Sequence, residues 1–207
     1  MNADTDNISY ARTQLSEARR RLASVRERIS DIERQEVVGA VDQRDNELAV
    51  GENIKIAEGE DIEKIPEKHR QYVTLSRRDK EVVNIEPHIQ NIIIDCQMSI
   101  ELSVKSMFKA VDQEFDYSHG IGFESHNTQD FNRKVPADFP RREDIVRAIF
   151  LTQLWERFYE LAKYGAPELN VGPSVIFEID DGERALNDAA FCVELAEEFI
   201  DYVDESE

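Results

Sequence analysis

Cysteine is scarce in this chain, with only Cys96 and Cys192 among 207 residues. Two thiols that far apart make neither a disulfide framework nor a zinc-ligand spacing, so the chain reads as reduced and cytoplasmic. Long apolar runs are missing too. Nothing approaches the roughly 18 residues of a membrane span, and the N-terminus carries no signal-like apolar stretch. Basic residues are the next deficit: 25 Lys and Arg stand against 44 Asp and Glu, a formal net charge of −19. That balance excludes a general nucleic-acid coat, because counterion release needs cations facing phosphates, but it leaves room for a local basic patch. Of the four histidines, His69, His88, His119 and His126, no two stand at helical ligand spacing. His119 and His126 share one loop with Glu124, where two solvated histidines are the simpler account, so no metal and no other cofactor is expected. A phosphate-cradling loop is also wanting, since His119-Gly120-Ile121-Gly122 lacks the Lys and Ser/Thr such loops carry.

What the chain does have is enough apolar residue, 41%, for a real core. Its surface charge is unusual in kind as well as sign: 17 Arg against 8 Lys, and 26 Glu against 18 Asp. An acidic, lysine-poor surface keeps a protein soluble where concentrated salt has shortened the reach of charge. A halophilic (haloarchaeal) origin fits, and an acidic protein of an ordinary cytoplasm has the same balance.

The firmest periodic signal is a heptad. Ile8, Leu15, Leu22 and Ile29 fall seven apart, with Ala11, Ala18, Val25 and Ile32 three residues after each. This predicts a long helix over 8–35, after a frayed start at 1–7 in which Asp6, Asn7 or Ser9 serves as cap. Its flanks carry Arg12, Arg19, Arg21, Arg26 and Arg28. Self-pairing would set arginine against arginine, so the seam is expected to pack on the acidic remainder of the same chain.

Residues 36–59 lose the heptad and read as a loop with a small hairpin, followed by a short helix over 61–79. Asn84 and Pro87 then open a clear helix over 84–115, whose stripe of Ile89, Ile93, Cys96, Ile100, Val104, Met107, Val111 and Phe115 reads as core. A long loop is expected over 116–141. A helix over 143–164 buries Ile145, Ile149, Trp155 and Phe158 and stops at Gly165 and Pro167. Val175-Phe177-Ile179 alternates like a short strand, and a last helix covers 181–203. The reading is an all-α bundle of about five helices, organised as an N-terminal arm (1–35), a linker with a short helix (36–83) and a bundle (84–207).

One constellation carries chemistry. Glu101 and Lys105 stand four apart in Ser99-Ile100-Glu101-Leu102-Ser103-Val104-Lys105-Ser106-Met107, an orientation that contributes about 0.2–0.5 kcal/mol if the pair is exposed. Tyr117-Ser118-His119-Gly120-Ile121 follows. Together with Leu161-Ala162-Lys163-Tyr164-Gly165-Ala166-Pro167 and the closing helix from Ala185 to Val203, this order resembles the HEPN family across about 85–204. The resemblance implies an up-and-down helical bundle, a homodimer, and a place beside a nucleotidyltransferase in a toxin–antitoxin or defence module. It also implies binding candidates Glu101, Lys105, His119 and Tyr164, with a nucleotide or RNA as ligand.

Many HEPN proteins are metal-independent RNases built on an Arg-x(4–6)-His motif, and here the chain departs from the family. No arginine precedes any of the four histidines at that separation. Lys64 before His69 is the nearest approach, and lysine lacks the forked contact of arginine to phosphate. The leading expectation is therefore a non-catalytic binding protein. The alternatives are an RNase assembled from His119 with Arg141, Arg142 or Arg147, and a purely structural interaction protein using the N-terminal helix.

Overall fold

The heptad seam does what its charges require. In the computed structural model, which describes residues 3–42, 89–115 and 121–206, helix α1 runs Ala3–Asp42. Ile8, Ala11, Leu15, Ala18, Leu22 and Val25 are all buried. The arginines beside them reach acids on other helices: Arg12 meets Asp201 at 3.0 Å and Asp204 at 2.9 Å, Arg19 meets Glu197, and Arg21 meets Asp95 at 2.7 Å. Alanine at two seam positions lets backbones approach closely, and the buried Ser99 hydroxyl donates to the Ala18 carbonyl at 2.9 Å. The helix starts earlier and ends later than the seam predicts, so the expected frayed start and cap at Asp6 to Ser9 are replaced by helix from Ala3.

Helix α2 (Ile89–Ala110) is the centre of the fold. Its apolar residues repeat on more than one face, so it packs on α4 (Arg142–Tyr164) and α5 (Ile179–Ser206) as well as on α1. Gly182 lets the first turn of α5 lie against the start of α2, since a Cβ there would stand 3.3 Å from Ile92 Cγ2. These two helices run parallel, with α1 and α4 antiparallel to both. The result is an up-and-down bundle, all-α, with five α-helices and no strand among the described residues. Met1 to Arg26 and Ile89 to Glu207 make one compact unit, and Glu27 to His88 a second. None of the described helices is long and apolar enough to cross a membrane.

Five is the expected number, but the set differs. Residues 126–134, expected as loop, form helix α3 (His126–Lys134). Ser125 caps it, its hydroxyl accepting from the Thr128 amide at 3.1 Å. Phe131, fully buried, stacks on Phe108 with ring centroids 4.0 Å apart and meets Phe199 edge-on. Phe139 joins the same cluster through Phe199 and Tyr202. The expected strand near Val175 is instead a 3-10 turn, Pro173–Val175, preceded by another at Pro167–Leu169. Gly165, with φ +72, ends α4 as expected; a Cβ there would clash with the Val171 carbonyl. The expected hairpin in 36–59, the helix over 61–79 and the Asn84 cap lie outside the described residues.

Candidate functional site

Glu101 and Lys105 are not on the surface. One helical turn apart on α2, they are 5% and 7% exposed, and the ammonium meets Glu101 Oε1 at 2.5 Å. The amide of Gln97, a turn earlier and fully buried, donates to Glu101 Oε2 at 3.0 Å. Lys105 Nζ also stands 5.0 Å from the centre of the Phe115 ring, with Lys109 Nζ at 5.6 Å over the same ring. The helix therefore carries a stripe of Gln, Glu, Lys beside its aliphatic stripe. A buried ion pair is stable only when each charge is met, and both carboxylate oxygens are. Lys105 thus has its ammonium on Glu101 and little access to solvent.

The segment that follows is anchored on α4. Ile121, buried, takes a hydrogen bond on its carbonyl from the Gln153 amide at 3.0 Å and gives its own amide to the Thr152 hydroxyl at 3.1 Å. His119, like His69 and His88, lies outside the described residues. His126 is exposed and sits 3.4 Å from Asp130 one turn along α3. Among the described residues no three His, Cys, Asp or Glu side chains gather as a metal site.

The arginines at the start of α4 are each held by the protein itself. Arg141 reaches Asp144 at 2.7 Å and both Glu194 and Glu198 of α5 at 3.1 Å. Burial pulls its guanidinium down, but Asp144 and Glu198 outweigh that and leave it above its ordinary value. Arg142 donates to the carbonyls of Val135, Pro136 (3.1 Å) and Asn132 (2.8 Å), closing the end of α3. Arg147 stands 3.5 Å from Asp188, which also accepts from the Trp155 indole at 3.0 Å. Arg141 and Arg147 both lie over the Phe191 ring, at 5.4 and 4.5 Å.

Tyr164 is not part of this neighbourhood. Arg142 starts α4 beside α3, at the end of the bundle where α2 finishes; Tyr164, 63% exposed, closes α4 about 33 Å further on. There Lys163 Nζ donates to the Tyr159 hydroxyl at 3.2 Å and lies 5.3 Å from the Tyr164 ring. The hydrogen bonds with Tyr159 and Tyr164 raise the Lys163 pKa. Both cysteines are buried, and burial foremost pushes the Cys192 thiol well up, with the Asp188 carboxylate adding to it.

Sequence reasoning passed over one surface. Val146 and Phe150 stand on the outer face of α4, 56% and 48% exposed, each next in sequence to a buried isoleucine, Ile145 and Ile149. Apolar residues on both faces blur the periodicity that reveals a buried stripe, so nothing marks these two until their exposure is known. No family model, curated protein or solved structure matches the chain.

Proposed function

We propose that the chain is a non-catalytic, HEPN-like helical binding protein that engages other protein chains. A second copy of itself and a nucleotidyltransferase are its partners, in a cytoplasmic toxin–antitoxin or defence setting. The observation that carries this reading is where the cations go. Lys105, Arg141, Arg142 and Arg147, the groups best suited by sequence to hold or stabilise a phosphate, are each tied to a carboxylate or a carbonyl of the same chain. Large apolar side chains, by contrast, are left facing solvent on α4 and at Leu169 and Val175 after it. A nucleotide or RNA would have to compete with Glu101 for Lys105, and cleavage by an Arg–His pair would need arginines already engaged.

Incubation with total RNA, in dilute and in molar KCl, tests this. The RNA should be recovered intact, with wild type and His119→Ala indistinguishable. Cleavage that disappears in His119→Ala would overturn the reading in favour of an RNase.

A further inference from the structure

The chain carries −19 overall, yet α4 does not share in it: four acids and four bases make this helix electrically neutral, whereas α5 has ten acids against Arg184 alone. At 3.6 residues per turn, Val146, Phe150, Arg157 and Tyr164 fall within about 40° of one another, with Glu143 and Leu154 beside them. All but Leu154, which is half-buried, are exposed. Phe123, 39% exposed, follows Ile121, whose backbone is held by Thr152 and Gln153 midway along the same helix. This neutral helix thus presents an apolar and aromatic stripe to solvent. Glu143, at one end of the stripe, and Arg157, within it, meet no opposite charge among the described residues.

We propose that this outer face of α4 is the surface through which a second copy of the chain docks, antiparallel, with Phe150 on the twofold axis. The inference rests on the protein-binding reading above and names its surface. A twofold contact must be complementary to itself, residue i meeting j and j meeting i. About Phe150 the stripe satisfies that condition. Val146 falls opposite Leu154, and Glu143 falls opposite Arg157, twice over, about 21 Å apart along the helix. The two unmatched charges of one copy are each answered by the other. On α5, approach of a second copy would bring acid against acid, and on the first turns of α1 arginine against arginine.

The test is the mass of the full chain in solution, by sedimentation across a concentration series, in KCl at which circular dichroism shows the protein folded. Mass should rise from 23.9 kDa toward twice that value. Phe150→Asp should weaken the dimer at least about tenfold, as expected for a central anchor. Glu143→Arg and Arg157→Glu should each weaken it by roughly two- to fivefold, and the double exchange should restore it. These residues are exposed, so unchanged melting of each variant confirms that the fold is intact. A chain monomeric at every concentration would overturn the proposal. So would a dimer indifferent to Phe150→Asp, or a double exchange no better than the singles. A dimer formed through another face would leave the binding-module reading standing, whereas RNA cleavage would remove that reading whatever the mass.

Discussion

Glu101 and Lys105 show what changes when an ion pair moves from surface to interior. At an exposed site the spacing contributes a few tenths of a kcal/mol. Inside the bundle, with Gln97 on the second carboxylate oxygen, loss of either partner strands a charge. Glu101→Ala is expected to destabilise the chain by about 3–5 kcal/mol, measured by urea unfolding. Replacing both, Glu101→Met with Lys105→Met, should cost far less, because no lone charge is left behind. The cysteines make the opposite point about interiors. A Cys192 thiol whose pKa burial has raised holds almost no thiolate at about pH 8, near the ordinary thiol value. Neither cysteine should react with a thiol reagent in the folded protein, and both should react once urea has unfolded it.

Helix α3 is the element whose existence the sequence hides. Nine residues, His126–Lys134, contain two buried side chains, Thr128 and Phe131, so there is no stripe to read. Its place comes from outside itself: the Ser125 cap, the Arg142 contacts at its far end and the ring stack on Phe108. Phe131→Ala should therefore destabilise the protein by about 3–5 kcal/mol, while Ser125→Ala should cost about 1 kcal/mol, both by denaturant midpoint. The longer helices are legible because each repeats an apolar residue at helical spacing, and α1 most of all: its seam and its flanking arginines foretell the intramolecular acids they meet. The same spacing sets Glu101 beside Lys105 but cannot bury them. Burial is set by what covers a face, and spacing along one helix carries no record of its neighbours. Tyr164 shares a sequence pattern with that pair, yet it lies at the other end of α4, for chain order does not fix which tip of the bundle a residue reaches.

At the scale of the whole molecule, the charge of −19 governs how stability responds to salt. The pairs of α1 with α5 are about half exposed, so molar salt costs them little, while it relieves the mutual repulsion of α5 and the rest of the acidic surface. The melting temperature should rise from dilute to molar KCl, as a halophilic protein requires; a flat or falling profile would count against that origin. Helix direction has a consequence here as well. Since α2 and α5 finish where α1 and α4 begin, two carbonyl-rich tips lie among two amide-rich ones, and their opposite partial charges largely cancel over a short distance. To anything approaching from afar the helix dipoles add little, and the field is set by where the charged side chains stand, crowded with acid on α5 and balanced on α4. Steering at long range thus falls to the side chains and not to the backbone.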